Sequence, residues 1–276
     1  MNFLNIINQL AEVDADVAGR LDSRRGVFSS LTSVAKRTAL ASTPALIASF
    51  FSKAYAGTAA GDPIEVFNYA LTLEQLEDDF YKKVIASPFF SQATAADQAA
   101  IRQISKHETA HVALLTTVIR GINGVPVTGN TFKTTTFTSL TSFAAQLQVA
   151  QLLEDTGVRA YKGRATDLQG ISDVTIAGVG TINPLQSALQ IHSVEARHAS
   201  HIRYMRGQTS WINGNGDLDG ADNYKGAILE SNVIQSGVNI TSGLPTQYSS
   251  TDAQAAFDEI LTKAEVLALA GPLIGA

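Results

Sequence analysis

The chain has 276 residues, 45% hydrophobic and 16% charged, which is ample for a large core and too apolar for a disordered chain. A net charge of −5 with scattered Lys and Arg excludes the basic field that holds nucleic acid. With no cysteine, disulfides, thiolate metal sites, iron–sulfur clusters and cysteine nucleophiles are excluded; any metal must use oxygen and nitrogen ligands, which suits iron or manganese over a structural zinc.

Residues 1–22 predict a helix, with Phe3, Leu4, Ile7, Leu10, Ala11, Val17 and Leu21 at roughly helical spacing. Arg24-Arg25, the apolar run Thr38 to Ser52 and Ala54-Tyr55-Ala56 then resemble a twin-arginine export signal with a small-residue cleavage site. That reading implies a periplasmic or envelope-associated protein. Phe28 sits one place late, and Lys36 and Arg37 interrupt the run. The alternative is a docking helix or arm kept in the mature, cytoplasmic protein. The run is about 15 residues and contains Pro44, so it is too short and broken to span a membrane.

After the small-residue linker Gly57 to Gly61, Asp62-Pro63 reads as the N-cap and first turn of a helix that ends at Ala86, before Ser87-Pro88. A second helix runs from Thr94 to Arg120, with Gly121 and Gly124 as its stop. Residues 121–138, with Thr131, Phe132, Thr134, Thr135, Thr136 and Phe137, suit an extended path. Such a segment of about 18 residues reaches roughly 60 Å, against about 35 Å for a 24-residue helix. It can climb the whole bundle and start helix three parallel to helix two, which gives an up-down-down-up order. Helix three spans about Ser139 or Ser142 to Leu168; Gly157 and Gly163 inside it each cost about 1 kcal/mol relative to Ala and suggest close contact there. A Gly-rich loop, 169–183, precedes helix four, Pro184 to Met205, stopped by Gly207. Residues 207–251 read as irregular. Asn215, Asp217, Asp219 and Gly220 imitate a calcium loop, but Gly226 stands where a bidentate Glu is needed, which favours Asn/Gly turns. A last apolar helix is expected over 252–270, with Phe257, Ile260, Leu261, Ala264, Leu267 and Ala268 along one side. Its candidate roles are capping the bundle and contacting another copy in a homo-oligomer. The chain therefore divides into an N-terminal segment 1–61, a four-helix bundle 62–206, and an irregular loop with C-terminal helix 207–276.

Each bundle helix carries an acid. Glu195 and His198 are three apart, about 60° around a helix axis on one face. Glu108 and His111 repeat that pair on helix two. Glu74 and Glu154 stand alone on helices one and three, each with Leu before it and Tyr seven residues after it. The order Glu, Glu-x-x-His, Glu, Glu-x-x-His is the ligand set of a four-helix bundle that holds two metals. Glu77 competes with Glu74, but its counterpart in the second half is Gly157, so Glu74 is chosen. Four carboxylates and two divalent ions cancel, whereas the acids alone would repel in a low-dielectric interior. For any one residue the plainer alternative is a surface glutamate or a core histidine.

These motifs resemble the ferritin-like superfamily, with closest similarity to a bacterial and fungal branch described as desiccation-related or stress-response proteins. The resemblance covers about residues 62–206 and rests on Ala70-Leu71-Thr72-Leu73-Glu74, Phe80-Tyr81, His107-Glu108-Thr109-Ala110-His111, Leu153-Glu154-Asp155-Thr156-Gly157-Val158 and Val194-Glu195-Ala196-Arg197-His198-Ala199. It implies an all-α ferritin-like bundle with a long crossover, flanked here by an N-terminal helical segment and a C-terminal helix. It further implies two iron or manganese ions, with Glu74 and Glu154 as terminal ligands, Glu108 and Glu195 as bridges, and His111 and His198 on one ion each.

Tyr81 and Tyr161 are candidates for hydrogen-bonding a ligand glutamate or carrying an electron; the alternative is packing with the hydroxyl satisfied. His107, His192 and His201 lie near the ligands in sequence, and Asp78 and Asp155 are candidates for orienting the imidazoles. Three functions compete. One is redox chemistry with dioxygen or peroxide, of ferroxidase or peroxide-consuming type. The second is a structural or self-assembling envelope protein in which metals only hold the bundle together. The third is a metal-free binding module.

Overall fold

The computed structural model describes residues 62–214, 221–245 and 247–275. The expected N-terminal helix, the export-signal-like segment and the calcium-loop-like cluster at 215–220 lie outside the described residues.

Four long helices follow their caps. Asp62 accepts from the Ile64 amide at 3.0 Å with Pro63 in the first turn, which starts α1, Pro63–Ala86. Thr94 accepts from the Asp97 amide at 3.1 Å and starts α2, Ala95–Gly121. Ser142 caps the third bundle helix, Phe143–Arg164, and Asn183 the fourth, Pro184–Met205. Gly207, at φ +70°, closes the fourth helix as expected. The stop of α2 differs from expectation. Gly121 is its last residue, and Asn123 takes the left-handed conformation at φ 61°. Gly121 serves packing instead, because a Cβ there would stand 2.5 Å from Ile176 Cγ1.

The crossover is laced to α1. Asn68 donates to the Val125 carbonyl at 3.0 Å, Gln75 to the Val127 carbonyl at 2.8 Å, and Asp79 accepts from the Phe132 amide at 2.7 Å. Only β1, Thr131–Phe132, is strand, and it pairs antiparallel with the C-terminal Ile274–Gly275. Thr134–Thr138 folds as a short helix, α3, rather than continuing the extended path. Phe137 sets it edge-on to Phe80 and Phe132, so aromatic packing overrides the strand preference of threonine. The bundle helices Phe143–Arg164 and Pro184–Met205 are hence α4 and α5.

Contacts fix the helix directions. The chain leaving α2 meets the start of α1 at Asn68, so α1 and α2 are antiparallel. Tyr81 meets Glu154 while Tyr161 meets Glu74, so α1 and α4 are antiparallel. Asp155 pairs with Arg203 and Val158 with His192, so α4 and α5 are antiparallel too. The result is an all-α bundle in the expected up-down-down-up order, with the long crossover between α2 and α4.

The loop between α4 and α5 is more ordered than its composition predicts, since Val174–Ile176 (β2) and Gly180–Ile182 (β3) form a hairpin. Beyond α5 lies a second small hairpin, β4 (Ile234–Gln235) with β5 (Val238–Asn239). The expected helix over 252–270 is corrected to two short pieces, α6 (Ser250–Gln254) and α7 (Lys263–Ala270), with the last strand, β6, at Ile274–Gly275. The stretch between them stays out of a helix because α4 claims its backbone. Arg159 donates to the Glu259 and Ile260 carbonyls, and the Leu261 amide donates to the Arg159 carbonyl. Of the residues assigned to its apolar side, Leu261 is 1% exposed, but Phe257 and Leu267 are about 40% exposed.

Two apolar clusters fill the bundle. Phe80, Phe90, Phe132, Phe143 and Ile104 belong to one, and Phe67, Leu71, Leu115, Ile119 and Ile176 to the other. Glu74 lies on α1 between Leu71 and Phe80, and Glu108 on α2 between Ile104 and Leu115. The bundle's acids therefore sit where the two clusters meet. No helix among the described residues is long and apolar enough to cross a membrane.

Candidate metal centre

Glu74, Glu108, Glu154 and Glu195 are each 0% exposed, and His111 and His198 are buried with them. Glutamate is rarely buried without a partner, so four at one level demand compensation. The six residues form two overlapping groups that could hold metal. One comprises Glu74, Glu108, His111 and Glu195; the other Glu108, Glu154, Glu195 and His198. Within each group one nitrogen or oxygen per residue lies within 4.8 Å of the others. Glu108 and Glu195 are common to both.

The histidines aim Nδ1 inward. His111 Nδ1 lies 3.1 Å from Glu74 Oε2 and from Glu108 Oε2, and 3.2 Å from Glu195 Oε1. His198 Nδ1 lies 3.1 Å from Glu154 Oε2 and 2.9 Å from Glu108 Oε1. Two of these approaches are close in distance only: Glu108 Oε1 and both Glu195 oxygens are buried and accept no hydrogen bond. Three orphaned carboxylate oxygens among nitrogen and oxygen donors fit divalent cations.

Protonation of the metal-free cluster shows the same need. Burial pushes the Glu195 carboxyl well up, with Glu74 and Glu154 adding repulsion. Burial and Glu195 raise Glu108, and burial raises Glu154. For His198, burial works downward, but the Glu154 charge, the hydrogen bond to Glu154 and the nearby Glu108 carboxylate raise it to about 11. His111 is likewise raised, by Glu108, Glu195 and Glu74 against burial. Without metal, the fold holds protons in the space where cations fit.

The tyrosines act crosswise. Tyr81 on α1 donates to Glu154 Oε1 on α4 at 2.5 Å, and Tyr161 on α4 donates to Glu74 Oε1 on α1 at 2.5 Å. Each lone glutamate is thereby oriented from the opposite half. His107 stacks on His198 with ring centroids 5.2 Å apart, and its Nδ1 lies 2.9 Å from His198 Nε2. A His198 that offers Nδ1 to metal carries its proton on Nε2, so it donates to His107. The Gln103 side-chain amide lies 2.7 Å from His107 Nε2, towards the surface, and with its oxygen turned inward it accepts from that nitrogen. His192 instead bonds the Val158 carbonyl, and His201 packs beside Tyr204.

Asp78 and Asp155 do not orient the imidazoles. Asp78 accepts from Thr109 at 2.6 Å and pairs with Lys82. Asp155 accepts from Arg203 at 2.7 Å and from the Tyr224 hydroxyl at 2.6 Å. Glu77 is buried but belongs to neither donor group. Gly157 is small for a reason of its own: a Cβ there would stand 3.0 Å from Glu195 Oε2 and 3.6 Å from Glu77 Oε1.

Sequence reasoning missed Arg159, Arg203 and Tyr224, all buried around the outer side of α4. Every residue from Leu153 to Tyr161 is buried, so the C-terminal segment covers the face that a plain bundle would show to water. The legible sign was Gly163, the small residue that faces this segment.

Compared with known proteins, residues 62–208 match the family model of the ferritin-like domain. No curated protein matches the chain.

Proposed function

This chain belongs to the ferritin-like domain family, and on that footing we propose that its bundle holds two iron or manganese ions and reacts with dioxygen or peroxide. The observation that carries this reading is the sharing of Glu108 and Glu195 between two buried donor groups. Glu74 and His111 would complete one ion's protein ligands, Glu154 and His198 the other's, and Glu108 and Glu195 would bridge. Two such ions, when bound in their reduced state, would supply the two electrons for reducing dioxygen or peroxide.

The chain's own residues prepare that chemistry. Tyr81 and Tyr161 hold the terminal carboxylates in place. His107, by accepting from Nε2, would hold His198 in the tautomer that offers Nδ1 to metal. The apolar clusters on either side keep bulk water away. Protection against oxidative or desiccation stress is the physiological role that the resemblance suggests, and a homo-oligomer is the assembly we expect.

The test is elemental analysis of the native protein, followed by anaerobic loading with ferrous or manganous ion and exposure to dioxygen or peroxide. About two ions per chain and consumption of the oxidant are expected. No bound metal after reconstitution would sink the proposal. Bound metal without reaction would leave metals that only stabilise the fold.

A further inference from the structure

Beside the centre, between α1, α4 and the C-terminal segment, lies a cavity of about 200 Å³. Leu73, Leu76, Val149, Leu153, Leu269 and Leu273 give it apolar walls. Three polar side chains also reach it. Asn223 donates to Thr156 at 2.6 Å, so those two satisfy each other. Glu77 is the third. It is 3% exposed, and the structure gives its carboxyl no hydrogen-bond partner among the described residues. Gly157 lines the same wall, where even a methyl group would crowd Glu195 and Glu77. The cavity thus ends against the candidate metal centre, with one unpartnered carboxyl at that end.

We propose that this cavity binds a small neutral aliphatic molecule with a hydroxyl head, its chain along the leucines and its hydroxyl on Glu77. Size sets the chain length. An apolar cavity of about 150 Å³ holds benzene, so this one takes a molecule of about six to eight carbon atoms. Chemistry sets the head group. A hydroxyl donates to a carboxylate and accepts from a carboxylic acid, so it satisfies Glu77 in either form. An ammonium head would bring a charge into an apolar site, at a desolvation cost of several kcal/mol. Binding itself needs no metal. Its service to the centre, as an organic molecule held at the metals' wall, rests on the function proposed above.

Hexan-1-ol is the probe, titrated into the metal-free full-length chain by calorimetry and followed through Leu and Val methyl resonances. Saturable one-to-one binding is expected, with shifts confined to the cavity leucines and Val149. The same-shaped 1-fluorohexane should bind about tenfold more weakly, since a buried group meant for a hydroxyl is left unpaired by it. Glu77→Leu should remove that preference. Ala270→Phe and Val149→Phe each fill the cavity and should abolish uptake; the second serves if the first does not fold. No saturable uptake, unchanged uptake in a folded filled variant, or equal binding of the two probes would overturn the proposal. If the chain takes up the alcohol but never binds metal, the function above falls and the cavity stands. If it binds metal but not alcohol, the cavity alone falls.

Discussion

The Tyr161 hydroxyl on α4 donates to Glu74 Oε1 on α1 at 2.5 Å. Tyr81 and Glu154 repeat the contact in the other sense at 2.5 Å, so each lone glutamate is held by the half it does not belong to. Tyr161→Phe keeps the packing and removes one donor. Loss of such an outer hydrogen bond typically costs about 10–100-fold in metal affinity. Competition against a chromophoric chelator should show that loss at one ion, with the other little changed, and Tyr81→Phe should weaken the second ion. Unaltered affinity in both variants would mean that the hydroxyls only pack.

Glu108 Oε1 and both Glu195 carboxylate oxygens are buried and accept no hydrogen bond. Removing both carboxyls in Glu108→Ala with Glu195→Ala should abolish dinuclear binding. Retained stoichiometric metal would refute the ligand assignment. In the wild type, a metal held at 100 times its dissociation constant stabilises the fold by about 2.7 kcal/mol. Chelation should therefore lower the melting temperature by several degrees, whereas the double variant should melt alike with and without chelator.

The metal-free cluster keeps protons that metal must displace. His198 is raised to about 11, chiefly by Glu154 and Glu108 against burial, so between its ordinary value near 6.5 and 11 the folded state holds a proton that the unfolded chain has lost. A raised value stabilises the fold below the unfolded pKa, and that stability drains away as pH rises. Metal-free protein should thus lose stability from about pH 6.5 to 9. Metal affinity should rise over the same range, about tenfold per pH unit for each proton displaced. Melting curves of both forms across that range, with proton release counted on loading, check this. Parallel trends in the two forms would contradict it.

Much of this was open to reading because the constraints are local. Asp62-Pro63, Thr94 and Asn183-Pro184 cap their helices through neighbouring amides, so α1, α2 and α5 could be bounded from sequence. The Glu and Glu-x-x-His pattern needed only helical periodicity. What stayed hidden depends on partners distant in the chain. Gly163 was legible as a close contact, but not that the neighbour is the Leu261 carbonyl, 2.1 Å from where a Cβ would stand. Asp155 looked like support for an imidazole until Arg203 and Tyr224, from beyond the pattern, proved to occupy it. The C-terminal helix failed for the same reason: Arg159 on α4 takes the carbonyls of Glu259 and Ile260 that a helix through that stretch would use.

Arg159 reaches beyond those two carbonyls. It is 0% exposed, and its guanidinium bonds the carbonyls of Glu259, Asn223, Lys225, Ile228 and Ile260. Its Nε also lies 2.8 Å from Glu230 Oε1. Lysine offers a point charge with three donors and lacks the planar fork, so Arg159→Lys cannot replace it. Arg159→Met would leave Glu230 buried with the Glu259 amide but without its cation, and several carbonyls without their donor, a change that typically costs about 3–5 kcal/mol. Burial already lifts the Glu230 carboxyl to about 7 against the pull of Arg159. Without Arg159 it would stand higher still, and ionising it would oppose folding. The deficit of Arg159→Met should therefore be larger at pH 8 than at pH 5, where Glu230 is protonated in either protein. Adding Glu230→Gln should restore part of the stability at pH 8 and little at pH 5. Urea denaturation at the two pH values measures this, and hydrogen exchange should show the loss concentrated in amides of residues 222–262. A deficit under about 1 kcal/mol, or one independent of pH, would mean that the C-terminal segment is held to α4 by its apolar contacts instead.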